Sequence, residues 1–237
     1  MTLAVRAVEL EELMDDPACD PERLRATLRR FETINRLVSG WGVVYRTRLA
    51  PRLAALARPA RVLDLGSGGG DLLVRLARLA ERDGLAVDWV GVEPDQRGHE
   101  VAVARDAPAN VSFECADADA LLDRGEVFDA VISNHVLHHI GADATAFLAR
   151  TRALSRGIVL HSDIARSRRA YALYAIGITP FAPGTFLRID GLRSIRRSFT
   201  RDELRNALDR AEPATWRIEA PVAFRLLAVA DGSARDG

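Results

Sequence analysis

The chain has 237 residues, of which 48% are hydrophobic, and its 33 basic residues are balanced by 33 acidic ones. A chain of this length and apolar content can bury the core of one three-layer α/β domain. Because there is no basic excess, nonspecific binding to nucleic acid or to an anionic membrane surface is not expected. The composition therefore predicts a globular protein whose partner is not a polyanion.

Two helices are predicted ahead of the main domain. The stretch "PERLRATLRRFETINRLV", residues 21–38, spaces its apolar residues at helical intervals behind a proline-primed start. After a break at "SGWG", the stretch "VVYRTRLAPRLAALA" resumes a helical pattern up to Pro59. We interpret residues 1–60 as an N-terminal helical lid and residues 61–237 as the main domain, with ordinary packing of the helices against a sheet as the alternative.

From residue 61 onward, short apolar runs alternate with helical stretches, as parallel strands covered by helices on both faces do. A capping box at Thr200 and Glu203 starts a later helix. Two final strands around Pro221 predict an antiparallel pair at one edge of the sheet. The fold class is a doubly wound α/β protein with a seven-stranded, mostly parallel sheet. The predicted strands are "RVLDL", "AVDWVGV", "NVSFEC", "VFDAVIS", "GIVLHSD", "TWRIEA" and "VAFRLLAVA", with helices over "GDLLVRLARLAE" and "DATAFLARTRAL" between them.

The cellular setting is predicted from the cysteines and the N-terminus. Cys19 and Cys115 lie far apart in the sequence, which disfavours a disulfide framework. The start "MTLAVRAVELEELMDD" turns acidic without the apolar core of a signal peptide. Residues 170–187 carry no charge, but two prolines and two glycines interrupt them, so we predict a short helix and an irregular apolar loop. These features predict a cytoplasmic protein with at most peripheral membrane contact.

A glycine loop follows the first predicted strand in "VLDLGSGGGDLL". Such a loop lets a ligand approach the backbone closely. The third glycine of a dinucleotide fingerprint is replaced by Asp71, and with Asp64 it would repel a pyrophosphate. A ligand with an ammonium or sulfonium group fits better. Glu93, at the end of the second strand, can accept from ribose hydroxyls, and Asp117, after the third, can accept from an adenine amino group.

In order, the motifs "VLDLGSGGG", "VGVEPD", "ECADADAL" and "FDAVISNHVLHHI" resemble those of class I S-adenosylmethionine-dependent methyltransferases. The resemblance covers residues 61–163 and implies S-adenosylmethionine as cofactor. The lid hypothesis adds Tyr45 and Arg46, just beyond "SGWG", which could reach the methionine carboxylate. The implied contacts are Asp64, Gly66, Ser67 and Gly68 around the methionine part, Glu93 at the ribose, Asp117 and Ala118 at the adenine, and Ser133 and Asn134 beside the sulfonium.

Three histidines follow the fourth strand in "SNHVLHHI", where His135, His138 and His139 share one face of a helical turn. Ubiquinone-pathway O-methyltransferases carry Glu-x-x-Glu-His in the matching place, where carboxylates hold a divalent ion. Imidazoles instead of carboxylates put that role in doubt here, so no metal ligand is assigned. We predict that neutral His138 or His139 removes the acceptor's proton, assisted by His161, with Asp163 to orient an imidazole. Structural packing of one of these histidines is the alternative.

The acceptor is predicted from the segment after the fifth strand. The chain lacks the Pro-Pro motif of amino-directed nucleic-acid methyltransferases, which favours a small molecule. Tyr171 and Tyr174 suit a lipophilic or aromatic acceptor and Arg166 an anionic oxygen; alternatively, the tyrosines extend the core and Arg166 is a surface charge. We predict methyl transfer to oxygen or carbon of a phenol, quinol or polyketide. The alternatives are a catalytically silent nucleotide-binding or scaffold protein and, less favoured, a nicotinamide oxidoreductase.

Overall fold

A seven-stranded sheet with helices on both faces organises the computed structural model, which describes residues 3–140 and 144–234. Residues 1, 2 and 235–237 of the predicted regions lie outside these ranges, as does Asp143 at the start of one predicted helix. The strands are β1 (Ala60–Leu65), β2 (Val87–Val92), β3 (Val111–Glu114), β4 (Phe128–Asn134), β5 (Ser155–Ile164), β6 (Arg217–Glu219) and β7 (Arg225–Asp231). The α-helices are α1 (Pro21–Val38), α2 (Trp41–Val44), α3 (Ala50–Ala54), α4 (Asp71–Arg82), α5 (Gln96–Val103), α6 (Ala118–Asp123), α7 (Thr145–Ala153), α8 (Arg168–Gly177), α9 (Leu187–Arg197) and α10 (Arg201–Ala211).

The strand order is β3-β2-β1-β4-β5-β7-β6, and β1 to β5 run parallel. The predicted doubly wound fold is confirmed. β7 pairs antiparallel with β5 and with β6, so the C-terminal hairpin closes one edge of the sheet with β6 outermost. The strand order reverses between β1 and β4. In open α/β sheets, a crevice for ligands forms at the carboxyl ends of the strands that flank such a reversal.

The helices cover the sheet in two layers, each with its own apolar core. Leu121, Leu148 and Leu204 carry α6, α7 and α10 onto one face. On the other face, Trp41 and Leu73 bring the N-terminal helices and α4 together. The predicted capping box of α10 is present, since the side chains of Thr200 and Glu203 each accept from the other's backbone N–H.

The predicted lid divides into two parts. Helix α1 lies over the carboxyl edge of the sheet, whereas the helical segment 41–54 packs into the core beneath it, with Trp41 and Leu49 fully buried. The Tyr45 hydroxyl donates to Asp83 Oδ2 at 2.7 Å, and Arg46 is exposed. Segment 41–54 therefore matches the alternative, ordinary packing against the sheet, and the Tyr45 hydroxyl is taken up by Asp83. The domain division at residue 60 stays a prediction. That α1 moves as a lid stays a prediction.

The uncharged segment 170–187 forms part of α8, a 3-10 turn at Thr179–Phe181 and a loop leading to α9. This matches the predicted short helix and irregular apolar loop. In residues 3–140 and 144–234, no helix combines the length and apolar character needed to cross a membrane.

Candidate functional site

A cavity of about 910 Å³ opens at the carboxyl ends of β1, β2 and β4, under α1, α8 and α9. Its walls are largely apolar, because α1 directs its hydrophobic stripe inward and α8 faces it from the other side. The polar groups gather along the floor, at the glycine loop and the histidine turn. The apolar lining includes Leu24, Leu28, Phe31, Ile34, Leu37, Leu173, Tyr174, Ile178, Phe181 and Leu187.

The glycine loop can form only with glycine at its tightest point. Gly66 has φ of 73°, in the left-handed region, and a Cβ there would lie 2.7 Å from Val136 Cγ2 of the histidine turn. Gly68 also has a positive φ, and its N–H donates to Glu93 Oε2 at 2.8 Å. The loop backbone therefore folds close against the ends of β2 and β4, leaving the cavity floor open to a ligand.

Asp64, at the end of β1, is a buried carboxylate on the cavity floor. It is 1% exposed, and neither carboxylate oxygen has a hydrogen-bond partner among the described residues; the same holds for the buried hydroxyl of Ser67. Burial, reinforced by the nearby charges of Asp71 and Glu93, raises the pKa of Asp64 to about 8. Buried polar groups normally find partners, so this cluster fits a cationic, hydrogen-bond-donating ligand such as an ammonium group. The residues present thus suit the amino-acid part of the predicted methyl donor.

Glu93 is held by two backbone donors, Gly68 N at 2.8 Å and Asp95 N at 3.0 Å. Burial raises the pKa of its carboxyl above the ordinary value. Each oxygen accepts one of these bonds, and a carboxylate has about four acceptor positions, so positions remain for two ribose hydroxyls. The geometry is compatible with the predicted ribose contact.

The other predicted donor residues are placed differently. Asn134 lines the cavity. Ser133 does not, and its fully buried hydroxyl lies 2.7 Å from His161 Nδ1; that Ser133 lies beside a sulfonium stays a prediction. Asp117 is exposed and caps α6 through Ala120 N, with Ala118 following in the helix. Neither Asp117 nor Ala118 lines this cavity, and their contact with adenine stays a prediction.

His138 stands between two carboxylates. Its Nδ1 lies 2.8 Å from Asp163 Oδ1, its backbone N–H donates to Asp163 Oδ2 at 2.8 Å, and its Nε2 lies 3.3 Å from Glu12 Oε1. The ring is 2% exposed. Although burial opposes the charged form, the two carboxylates raise the pKa of His138 to about 9. We name Asp163, His138 and Glu12 the ion-pair chain; at neutral pH its imidazole carries a proton on each nitrogen.

His139 is the accessible neighbour. Its side chain is 36% exposed and lines the cavity, with Nδ1 at 3.4 Å from Asp15 and Nε2 at 3.9 Å from Glu12. Both acidic residues come from the N-terminal segment. The ring is therefore reachable from the cavity, unlike most of His138.

His161 is not part of the site, and its predicted role in assisting the base is wrong. The ring is fully buried, with Nδ1 against Ser133 Oγ and Nε2 at 3.1 Å from Thr151 Oγ1, and it stacks on Trp216. Burial lowers the pKa of His161 to about 3, so the ring is neutral. His161 matches the alternative of structural packing, because it is a hydrogen-bonded histidine of the core.

His135 adopts φ of 64°, an uncommon value for a residue with a Cβ. Its Nε2 lies 3.1 Å from Arg225 Nη1. Arg225 Nη2 donates to Asn134 Oδ1 at 2.6 Å and to Ser162 Oγ at 2.9 Å. Burial and the charge of Arg225 hold the pKa of His135 well below its ordinary value. Arg225, on β7, thus fixes the end of β4, a role that the sequence did not indicate.

Among the residues that the structure describes, two groups of side chains lie close enough together to share a metal ion: Glu12, His138 and His139, and His135, His138 and Asp163. Both require His138. Both ring nitrogens of His138 face carboxylates, as in a hydrogen-bonded imidazolium, which would have to lose a proton before it could coordinate a cation. We assign no metal ligand.

Of the residues predicted to bind the acceptor, only Tyr174 lines the cavity, and its hydroxyl donates to Leu187 O at 2.7 Å. Tyr171 does not line it. Arg166 is buried away from the cavity and pairs with Glu203 of α10, so its predicted role at an anionic oxygen is wrong. Glu12 was not predicted for the site, because nothing in the local sequence indicates that it contacts a histidine 126 positions later.

Comparison with known proteins agrees with this geometry. A family model for a methyltransferase domain matches residues 43–212, most of the chain. The chain belongs to the methyltransferase family. With the seven-stranded sheet and the glycine loop, this makes it a class I methyltransferase, and the cofactor of the class is S-adenosylmethionine. The matched range includes the segment after Trp41, in accord with its place in the core.

Curated relatives include the ubiquinone biosynthesis O-methyltransferase of Bartonella quintana, 35% identical over 121 residues, covering 49% of this chain and 46% of the relative. The enzyme of the same name from Dinoroseobacter shibae is 31% identical over 156 residues, covering 64% and 58%. The chain thus spans about half the length of the curated relatives it matches.

Among solved structures, human N-acetylserotonin methyltransferase in complex with SAM has a TM-score of 0.62 at 15% identity, covering 90% of this chain and 56% of the other. The plantazolicin methyltransferase BpumL has a TM-score of 0.61 at 13% identity, covering 91% and 96%. These structures share the fold.

Proposed function

We propose that the protein transfers the methyl group of S-adenosylmethionine to a hydroxyl oxygen of a phenolic or quinol small molecule. The observation that carries the proposal is the ion-pair chain at the wall of the same cavity that holds the glycine loop. A hydroxyl must lose its proton when it is methylated, and a chain with two carboxylates and one imidazolium can take it. The names of the curated relatives, ubiquinone biosynthesis O-methyltransferases, support the same acceptor class.

The cavity has room for both reactants. Its volume of about 910 Å³ lies in the upper range of small-molecule sites, which run from about 300 to 1,000 Å³. The floor carries the charged groups, and the walls formed by Phe31, Ile178 and Phe181 are apolar. Such walls suit an aromatic or lipophilic acceptor, since they exclude water and stack on a flat ring.

Each part of the floor has a separate task. Asp64 binds the ammonium group, and Glu93 accepts from the ribose hydroxyls. When bound, S-adenosylmethionine supplies an activated methyl group on its sulfonium. Because the donor is already activated, the protein contributes mainly alignment of the acceptor oxygen and a place for its proton. His138, held by Asp163, lies beside the position where the acceptor oxygen would bind, and its charge favours an oxygen that becomes negative.

A transfer assay tests the proposal. The intact protein would be incubated with methyl-labelled donor and a panel of phenols, hydroquinones and matched compounds whose hydroxyls are already methylated. We expect label in an ether product from the free hydroxyl compounds alone. The Glu93→Ala variant serves as a control that should lose transfer through weaker donor binding. Label on ring carbon, or donor binding without transfer to any phenol, would contradict the proposal.

A further inference from the structure

The N-terminal segment brings one carboxylate into the reaction cavity. Glu12 lies directly before a 3-10 turn at Leu13–Asp15, and two backbone N–H groups of that turn, those of Leu13 and Met14, donate to the Asp190 carboxylate at 2.8 and 3.0 Å. Asp190 is a buried residue of α9. The segment is therefore anchored to the wall of the site, and the position of Glu12 is defined.

Glu12 itself is 5% exposed and lines the cavity. Its Oε1 accepts from Ser194 Oγ at 2.8 Å and lies 3.3 Å from His138 Nε2. Although burial would raise its pKa, the hydrogen bond and charge of His138 lower it, so the carboxyl is ionised. Besides His138, the titratable and charged groups that face it from neighbouring elements are His139, Arg197, Asp190 and Tyr174.

Within the ion-pair chain, only one group is suitably placed to receive a proton from the cavity. His138 already has both nitrogens directed at carboxylates, so its ring offers no lone pair in this arrangement. Asp163 lies behind the ring and does not line the cavity. Glu12 does line it. The contacts with Ser194 and His138 both fall on Oε1, which leaves Oε2 to an acceptor hydroxyl.

We propose that Glu12 is the catalytic base of this site and takes the proton of the acceptor hydroxyl as the methyl group moves. The inference rests on the proposed function. The bond between the acceptor oxygen and the methyl carbon forms, the bond between that carbon and sulfur breaks, and the sulfur keeps the electron pair. The hydroxyl proton passes to Glu12 and leaves to solvent after the methyl ether and S-adenosylhomocysteine depart.

An ionised carboxylate is basic enough for this task. A free phenol is a weak acid, with a pKa near 10, but its O–H becomes far more acidic as the oxygen gains a bond to carbon. A base that acts during methyl transfer, rather than before it, can therefore be weak. His138 acts here as a positioning residue, because its charge holds Glu12 and the reacting oxygen at one place. For His138, this positioning role replaces the predicted role of a neutral imidazole as proton acceptor.

The test compares Glu12→Gln with Glu11→Gln, a matched control at the exposed neighbouring carboxylate. With a phenol that is neutral at the assay pH, we expect Glu12→Gln to lose about 10²- to 10⁴-fold in kcat, and Glu11→Gln to keep full activity. With a nitrophenol that is already ionised, Glu12→Gln should lose far less, because no proton needs to be taken. Calorimetry with S-adenosylhomocysteine should give unchanged affinity in both variants and shows that they fold.

Chemical rescue separates a base from a structural contact. In Glu12→Ala, added formate can occupy the space beside His138 and Ser194 and should restore part of the lost turnover; formamide, of the same size but uncharged, should not. Equal losses with neutral and ionised phenols and no rescue by formate would overturn the inference, as would full activity of Glu12→Gln. If the wild-type protein methylates no phenol, both the proposed function and this inference fail. That result differs from a wild-type protein that is active and a Glu12 variant that behaves as the wild type does, which would overturn the inference alone.

Discussion

His138 Nδ1 lies 2.8 Å from Asp163 Oδ1, although the two residues are 25 positions apart in the chain. The backbone N–H of His138 donates to the second oxygen of the same carboxylate. One side chain at the end of β5 therefore fixes both the ring and the turn that carries it. As a result, Nε2 points toward Glu12 at the wall of the cavity, which sets the direction of the whole ion-pair chain.

We expect Asp163→Asn to lower stability by about 3 to 5 kcal/mol at pH 6, because it leaves a buried imidazolium with only one carboxylate. The folded pKa of His138, about 9, exceeds the unfolded value of about 6.5. Its contribution is therefore complete below about pH 6.5 and is lost as the pH rises through 9. Urea unfolding of wild type and variant at pH 6, 7.5 and 9.5 measures the difference between their free energies of unfolding. This difference should become smaller as the pH rises. A difference that does not change with pH would refute this account.

Binding of S-adenosylhomocysteine should release a proton near pH 7. In the free protein, the pKa of Asp64 is raised to about 8, so most of its carboxyl is protonated at that pH. The ligand's ammonium group favours the ionised form, and the proton leaves. Calorimetry in two buffers of different ionisation enthalpy measures the release. Asp64→Asn should abolish it, whereas Asp88→Asn, at an exposed position of β2, should not. Identical heats in both buffers with the wild type would exclude the proposed pairing.

Glu93→Ala should weaken donor binding by about 1.5 to 3 kcal/mol, because two ribose hydroxyls lose a charged acceptor. This corresponds to roughly a 10- to 150-fold rise in Kd. Calorimetric titration with S-adenosylhomocysteine measures the change. Glu100→Ala, on the exposed side of α5, is the control and should bind as the wild type does. Unchanged affinity in Glu93→Ala would remove this residue from the site.

Gly66→Ala should abolish donor binding and lower the melting temperature. Its left-handed φ strains any side chain, and the new Cβ would also lie 2.7 Å from Val136 Cγ2. Gly84→Ala separates the two effects, because Gly84 has φ of 70° and nothing within 4 Å of its Cβ position. That control should cost about 1 to 3 kcal/mol from strain alone and keep the site intact. Thermal melts with and without S-adenosylhomocysteine compare the two, and equal behaviour would disprove the steric role of Val136.

Turnover should resist a chelator such as EDTA, because the ring nitrogens of His138 are bonded to carboxylates. Among single histidine variants, His138→Gln should cause the largest loss of turnover. A metal site would behave differently: chelation would abolish activity, an added divalent ion would restore it, and substitutions of His135, His138 and His139 would be severe together. That pattern would overturn the ion-pair chain in favour of a metal.

The sheet, and the placement of Asp64 and Glu93 at one edge of it, could be predicted because their signals are local. Short apolar runs mark each strand, and the ends of β1 and β2 place Asp64 and Glu93 at the same edge whatever the details of packing. The capping box of Thr200 and Glu203 is likewise contained in four residues. Features of this kind depend on neighbours in sequence, so they could be recognised without the fold.

The contacts around the histidine turn could not be predicted, because they depend on how deeply each side chain is buried and on residues distant in the sequence. His161 and Asp163 project from the same face of β5, but they are separated by about 7 Å along the strand. That distance places the histidine under α7 and the aspartate beside the histidine turn. Glu12 reaches His138 only because the N-terminal segment is anchored on α9 through Asp190, a contact that no local pattern encodes.

The histidines differ in burial, so a reagent that modifies imidazoles should distinguish them. An acylating reagent such as diethyl pyrocarbonate attacks an accessible, unprotonated imidazole. Of His138, His139 and His161, His139 is the most accessible and should react first, whereas His138, with its Nε2 covered by Glu12, and His161, enclosed by Trp216 and Thr151, should be protected. Peptide mass spectrometry after brief exposure would therefore report whether the N-terminal segment is seated, since its departure would add His138 to the modified set and leave His161 unmodified.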